Sequence, residues 1–256
     1  MDGDLDGRVV IVTGGARGIG LGACECLAEA GAAVVVADID EDAARASAAR
    51  LEGAIAIGHD VRRAASSEAL VERVMDELGR IDVLVNNAGV GPRPAPVQDT
   101  SEEEYDRVMD VNVRGVFLTT RAVVPVLLEQ GAGRIINMSS VVGHRGRAMV
   151  LPYSASKHAI VGITQGLAEE LAPTITVNSV HPGVVETELH SAVVPAFAEM
   201  QGTTVEGGWD WFRGQIPLDR FQTPRDIGEM VAFLASDRAR NITGAAFSVD
   251  GGWSMH

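Results

Sequence analysis

Tyr153 and Lys157 stand four residues apart in an alanine- and leucine-rich stretch that reads as a helix at about 153–172. At that spacing their side chains share one helix face. A tyrosine hydroxyl titrates near ~10 and is a poor base at neutral pH. A neighbouring ammonium favours the phenolate, and the helix N-terminus adds a positive field. The pair is therefore a candidate acid/base unit, although the same spacing also describes an ordinary solvated helix face. Ser139 and Ser140 follow an apolar run at about 133–139. Ligands of an open α/β sheet sit at the carboxyl ends of its strands. A serine there can hydrogen-bond a substrate oxygen, or it can simply cap the strand.

A second signal lies near the start of the chain. The run at 8–13 passes straight into Thr13-Gly14-Gly15-Ala16-Arg17-Gly18-Ile19-Gly20. Glycines in a strand-to-helix turn allow tight turning and leave room for a pyrophosphate against the backbone. The helix that follows offers its N-terminal N–H groups and positive dipole end to that anion. The second apolar run ends in Asp38, 18 residues past Gly20. A carboxylate there can accept hydrogen bonds from ribose hydroxyls, and it would repel a 2′-phosphate. It could equally cap the next helix.

These residues need a scaffold, and the rest of the chain reads as one. Short Val- and Ile-rich runs at about 8–13, 33–38, 54–59, 81–86, 133–139, 174–181 and 245–249 read as strands. Between them lie helical patterns at about 18–30, 41–52, 64–79, 102–130, 153–172 and 223–236. The strand runs are continuous rather than alternating, which suits strands covered on both faces. Strand–helix alternation gives a parallel sheet between helices. Pro125 predicts a bend in its helix. Residues 187–222 break the alternation with Pro195, Gly202, Gly207, Gly208, Trp209, Trp211 and Phe212. They read as a substrate-loop insertion within one domain, 1–256. Trp209 or Trp211 either covers bound substrate as part of a mobile lid or packs at a subunit interface.

Bulk composition narrows the partners. The 256 residues are 46% apolar, enough for a large core. The net charge of −14 disfavours nucleic acid and anionic membranes, and the one basic cluster, Arg145 and Arg147, is too small for a nucleic-acid face. Cys24 and Cys26 lie two apart on a helix, where their side chains point to different faces, so no disulfide between them is expected, and no spacing suggests a metal site. Residues 1–7 are acidic, without the pattern of a signal peptide, and no apolar run reaches membrane-span length. A cytoplasmic protein is expected.

The pattern Thr-Gly-x-x-x-Gly-x-Gly from Thr13, together with Asn86-Asn87-Ala88-Gly89, resembles the short-chain dehydrogenase/reductase family over residues 7–253. The resemblance implies a doubly wound Rossmann fold, a seven-stranded parallel sheet ordered 3-2-1-4-5-6-7, and commonly a homotetramer. It implies cofactor contacts at Gly14, Arg17, Gly18, Ile19, Gly20, Asp38, Asp60, Val61, Asn87, Ala88, Gly89, Tyr153 and Lys157. The stretch Pro182, Gly183, Val185 and Thr187 would hold the nicotinamide carboxamide. Ser140, which lies 13 residues before Tyr153, is selected over Ser139 by the family's spacing. Asn112 matches a fourth catalytic residue, which orders a water near the lysine. Arg17 gives a mixed signal, since a base there is frequent in NADP-using members and common in NAD-using ones.

Three activities follow. The first is an NAD-preferring dehydrogenase of small secondary alcohols, diols or polyols, with Asp38 as its warrant. The second is an NADPH-dependent 3-oxoacyl-thioester reductase. Asp38 and the acidic charge argue against it, because an acidic carrier protein wants a basic docking face. The third is a silent nucleotide-binding scaffold, which intact Ser140, Tyr153 and Lys157 disfavour. Likeness to hydroxybutyrate dehydrogenases fails locally, since Val142 and Val150 replace polar carboxylate binders. His158, next to Lys157 on the helix, is expected to point away from the site, His181 reads as structural, and His190 in the insertion is either a wall residue of the pocket or, as the better bet, not part of it.

Overall fold

The computed structural model describes residues 3–254. Its seven strands are β1 (Val9–Thr13), β2 (Ala33–Asp38), β3 (Ile55–Gly58), β4 (Val83–Asn86), β5 (Gly133–Met138), β6 (Ile175–Pro182) and β7 (Ala246–Val249). All neighbours pair in parallel, in the order β3-β2-β1-β4-β5-β6-β7. The apolar runs are unbroken because each strand feeds two cores. Along β1, Val10 and Val12 enter one core while Val9 and Ile11 enter the other.

The helices are α1 (Gly18–Glu29), α2 (Glu41–Ala48), α3 (Ala64–Leu78), α4 (Glu102–Met109), α5 (Gly115–Gln130), α6 (Leu151–Glu170), α7 (Glu188–Met200), α8 (Val205–Gly214) and α9 (Pro224–Ala235). The first core lies under α1, α2 and α9, through residues such as Leu27, Ala44 and Ile227. The second lies under α3, α5 and α6, through Val74, Leu127 and Ala168. The sheet is thus a layer between two helical layers, and its carboxyl edge is left to the connecting loops.

Three elements differ from the sequence expectation. The helix expected at 102–130 is interrupted by a π turn at Asp110–Arg114 that carries Asn112. The helix expected from 153 begins at Leu151, with Pro152 in the first turn where a missing N–H costs nothing. Residues 187–222 hold two helices, α7 and α8; Thr204 caps α8 by accepting from the Gly207 N–H at 3.1 Å. Pro125 does not end α5. One run, Glu102–Gln130, is long and apolar enough to cross a membrane by length and composition, which corrects the expectation that none is. Its apolar residues have a local reason: α5 packs against α3, β4 and β5 as a core helix.

Candidate active site

The order of the sheet reverses between β1 and β4, so the chains leaving these strands diverge and open a crevice. A cavity of about 1400 Å³ occupies it and runs along the carboxyl ends of β1, β2, β4, β5 and β6.

The turn after β1 fits a pyrophosphate. Gly14 has φ +62, and a Cβ there would stand 2.8 Å from the Ala88 Cα. A Cβ on Gly20 would overlap the Gly14 carbonyl oxygen. Neighbouring side chains hold the turn in shape. Asn87 Nδ2 donates to the Thr13 and Gly14 carbonyl oxygens at 3.0 Å each. Thr13 Oγ1 accepts from the Asn87 and Ala88 N–H groups, also at 3.0 Å each. Helix α1 starts with no side-chain cap from Arg17, which leaves its first N–H groups for an anion.

Asp38, at the end of β2, is fixed on the wall by its neighbours' backbone. One carboxylate oxygen accepts from the Ala16 N–H at 3.1 Å and the other from the Asp40 N–H at 3.0 Å. Arg17 is ion-paired to Asp40. Asp60 is gripped by the Arg62 guanidinium through two bonds of 2.8 Å, which hold its carboxyl below the usual range. Gly14, Arg17, Gly18, Ile19, Gly20, Asp38, Asp60, Val61, Asn87, Ala88, Gly89, Pro182, Gly183 and Thr187 all line the cavity, as do Ser140, Tyr153 and Lys157. The lining fits a dinucleotide: a side-chain-free cradle for the diphosphate, a fixed carboxylate at one end and the Pro182–Thr187 stretch at the other.

Two expected residues do not line the cavity. Val185 is fully buried and bridges to Gln222. Asn112 is also buried, with its side chain spent on neighbours. Its Oδ1 accepts from the Val90 N–H at 2.8 Å, and its Nδ2 donates to the Val90 carbonyl at 3.1 Å and to Ser156 Oγ at 3.2 Å. It therefore pins the loop after Gly89, and its placement depends on the π turn.

The two serines separate cleanly. Ser139 Oγ turns inward and donates to the Lys157 carbonyl oxygen at 2.9 Å. Ser140 Oγ instead stays on the cavity wall, accepting from the Val142 N–H at 3.3 Å, where it favours ionisation of the Tyr153 hydroxyl. The Ser140 carbonyl lies 2.9 Å from Nδ1 of buried His181, whose Nε2 lies 2.8 Å from Ser179 Oγ. His181 thus steadies the loop that presents Ser140. Lys157 is buried and its Nζ donates to the Met138 carbonyl oxygen at 2.9 Å.

The charge state of the pair differs from the sequence expectation. Burial pushes the Tyr153 hydroxyl up to about 12, with Ser140 pulling the other way. Burial also pulls Lys157 down to about 8. The ammonium, 5.6 Å from the tyrosine ring centroid, is turned toward Met138, so desolvation outweighs it. At neutral pH the structure holds a protonated tyrosine beside a mostly charged lysine.

The substrate side is walled by aromatic and apolar groups, Met149, Phe197, Phe212 and Trp253, of which Phe197 and Phe212 come from the expected substrate-loop segment and Trp253 was missed by sequence reasoning. Trp253 arrives from the turn after β7, where Asp250 accepts from the Gly252 and Ser254 N–H groups at 2.9 and 2.8 Å. Nothing in its local sequence marks it. Of the two tryptophans in the 187–222 segment, Trp211 lies on the cavity wall against Phe197, with ring centroids 4.8 Å apart. Trp209 packs edge-on against Phe221. His190 is on the wall, against the better bet from sequence. Among the described residues no group of three or more His, Cys, Asp or Glu is placed to hold a metal ion.

Known proteins share this arrangement. Residues 14–254 match the family model described as Enoyl-(Acyl carrier protein) reductase. The chain is 43% identical over 252 residues to a protein of Streptomyces virginiae assigned as the ketoacyl reductase of monensin polyketide synthase, covering 96% of each chain. It is 41% identical over 251 residues to galactitol 2-dehydrogenase of Agrobacterium fabrum, covering 97% of this chain and 98% of the relative. It also resembles the crystal structure of 3-ketoacyl-(acyl-carrier-protein) reductase from Brucella melitensis complexed with NADH. That match has a TM-score of 0.89 and 37% identity, over 98% of this chain and 100% of the other.

Proposed function

The chain belongs to the short-chain dehydrogenase/reductase family of oxidoreductases, and from that premise we propose that it interconverts a small secondary alcohol, diol or polyol and its ketone with NAD(H). The observation that carries this reading is the Ser140–Tyr153–Lys157 group facing the same cavity as the glycine turn and Asp38. A nicotinamide bound there supplies the hydride donor or acceptor. The chain supplies position and protons. In the reducing direction the Tyr153 hydroxyl donates to the ketone oxygen, while Ser140 Oγ hydrogen-bonds the same oxygen. In the oxidising direction Tyr153 Oη, once it has given its own proton away to become the phenolate, takes the alcohol proton. Lys157 Nζ, on the cavity wall, would hold the nicotinamide ribose and replenish the tyrosine's proton. Gly14, Gly18 and Gly20 would carry the diphosphate and Asp38 the adenosine ribose.

The preference for NAD rests on Asp38, whose carboxylate is fixed by two backbone bonds and cannot swing away from a 2′-phosphate. A cytoplasmic homotetramer is part of the proposal, supported by the apolar side chains Phe117, Leu128 and Leu151 that α5 and α6 expose. One observation favours the second reading, a 3-oxoacyl-thioester reductase. Arg145 and Arg147 stand in the loop before α6 with no carboxylate partner among the described residues, and Arg147 lines the cavity. Sixteen of the chain's twenty arginines do have one among the described residues. The test is a turnover screen of alcohols, polyols and 3-oxoacyl thioesters with NAD(H) and NADP(H) side by side. Turnover of polyols with NAD⁺ supports the first reading, and turnover of thioesters alone replaces it with the second. No turnover of any of them removes both.

A further inference from the structure

Ser140 stands just past the ladder bond that runs from the Ser139 N–H to the Val180 carbonyl oxygen at 2.8 Å. It opens a short 3-10 turn, Val141–Gly143. The turn's own bonds run from the Gly143 N–H to the Ser140 carbonyl at 2.8 Å and from the His144 N–H to the Val141 carbonyl at 3.2 Å. These bonds move with the turn, so they cannot place it. On one side the turn rests on the Lys157 backbone of α6. Ser139 Oγ donates to the Lys157 carbonyl at 2.9 Å, and a Cβ on Gly143 would stand 2.8 Å from the same oxygen. On the sheet side His181 touches it twice. Its Nδ1 lies 2.9 Å from the Ser140 carbonyl oxygen, and its ring stacks on His144 with centroids 4.0 Å apart and planes 13° apart. His181 is fully buried. Side chains alternate along a strand, so Ser179 shares its face of β6. Ser179 Oγ lies 2.8 Å from Nε2.

We propose that His181 is a positioning residue for the reaction: tethered to β6 through Ser179, it holds Ser140 where its hydroxyl and that of Tyr153 reach one substrate oxygen. The proposal rests on the alcohol dehydrogenase reading given above. The direction of each bond follows from the groups. A carbonyl oxygen only accepts, so Nδ1 carries the ring proton. Nε2 is then an acceptor, and Ser179 donates to it. A neutral ring of this one tautomer completes a directed chain from Ser179 through His181 to Ser140. His181 does not line the cavity, so it acts on a substrate only through the turn it holds. The carbonyl it grips and the catalytic hydroxyl belong to the same residue, and a shift of one carries the other. Misplacing a catalytic group by about 1 Å can cost roughly 100-fold in rate. The expectation that His181 is structural is thereby given a target: it braces Ser140 from the sheet, as the Lys157 backbone braces the turn from α6.

The test compares His181→Leu, which removes the donor, with His181→Asn, whose amide N–H can take the place of Nδ1–H. Oxidation is followed with NAD⁺ and 2,3-butanediol, or whichever alcohol the turnover screen selects. In the leucine variant kcat should fall roughly 10- to 100-fold, while the Kd for NADH stays as in wild type. The asparagine variant should recover part of the loss. In a Ser140→Ala background, measured as single turnovers, His181→Leu should cost nothing further, because it acts through Ser140. The same loss in both backgrounds, or NADH binding weakened as much as kcat, overturns the proposal by making His181 a general prop of the fold. A second readout does not need turnover. In the ¹⁵N-histidine-labelled enzyme at pH 7, the His181 signals, assigned by their absence in His181→Asn, should show a protonated Nδ1 and a bare Nε2. A protonated Nε2 overturns the proposal whatever the kinetics. The expected tautomer in an enzyme that turns over no alcohol would remove the dehydrogenase reading and keep the tether from His181 to Ser140.

Discussion

Replacing Asp38 with serine should largely erase the discrimination between NAD and NADP. Two unit charges about 4 Å apart at an effective dielectric near 20 repel by about 4 kcal/mol. Asp38 is only partly buried, so screening takes a share, and about 2–3 kcal/mol is a reasonable remainder. That corresponds to a preference for NAD of roughly 30- to 150-fold in kcat/KM. The carboxylate cannot relieve the clash by rotating, because the Ala16 and Asp40 N–H groups hold both its oxygens. A serine in its place removes the charge while keeping one short acceptor. It also weakens the bonds to the ribose of NAD by about 1.5–3 kcal/mol, the worth of a hydrogen bond to a charged group. Both effects narrow the ratio, one by admitting NADP and the other by losing NAD. The assay is kcat/KM for NAD⁺ and NADP⁺ at low and high salt, in wild type and variant. The wild-type gap should shrink with salt. A wild-type ratio near one, or a ratio that Asp38→Ser leaves unchanged, would refute the electrostatic reasoning.

Tyr153→Phe should lower kcat by at least about 100-fold, since a general acid/base contributes that much, while NADH binding followed by fluorescence stays intact; retention of a tenth of wild-type kcat would remove the assignment. The oxidation rate should rise with pH from neutral through about 9, and the reduction rate should fall only above about 8, where Lys157, which replenishes the tyrosine's proton, loses its charge. A tyrosine pushed up to about 12 is a proton donor at neutral pH and becomes an acceptor only as protons leave the site. A flat profile with chemistry rate-limiting would contradict this. Lys157→Met should abolish turnover and yet raise stability at pH 7. Burial lowers the lysine from 10.5 to about 8, a penalty of about 3 kcal/mol, against about 1 kcal/mol for the lost bond to Met138. The sign follows from linkage. The penalty is fully present below pH 8 and fades as pH rises toward the unfolded value, so the variant's advantage should close over that window. A variant less stable than wild type at pH 7 in urea unfolding would refute it.

The scaffold was legible because its determinants are local. Runs such as Val9–Thr13 and Ala33–Asp38 are strand-like throughout, and burial on both faces leaves polar residues only at their last positions, Thr13 and Asp38. The glycine turn and Tyr153/Lys157 were legible because turn and helix geometry fix which residues meet. Other features escaped for physical reasons. The π turn at Asp110–Arg114 is a one-residue excess in the helical ladder, and no residue type announces it. Glycines 207 and 208 and Pro195 looked like breakers, yet they lie inside α7 and α8. Gly208 is where the two helices touch: a Cβ there would meet the Ala198 Cβ at 3.1 Å. Contact between helices, not propensity, explains that glycine.

The same contrast explains why substrate identity is harder to read than chemistry. The proton-handling residues come from α6 and from the turn directly after β5, which the central sheet and its covering layer hold in place. The substrate wall is assembled from Met149, Phe197, Trp211 and Trp253, which arrive on four separate segments around the rim. Their meeting depends on how α7 and α8 pack over the carboxyl edge and how Asp250 turns the chain after β7. A change in any of these segments would reshape the pocket while the distance from Ser140 to Tyr153 along the fixed frame stays as it is.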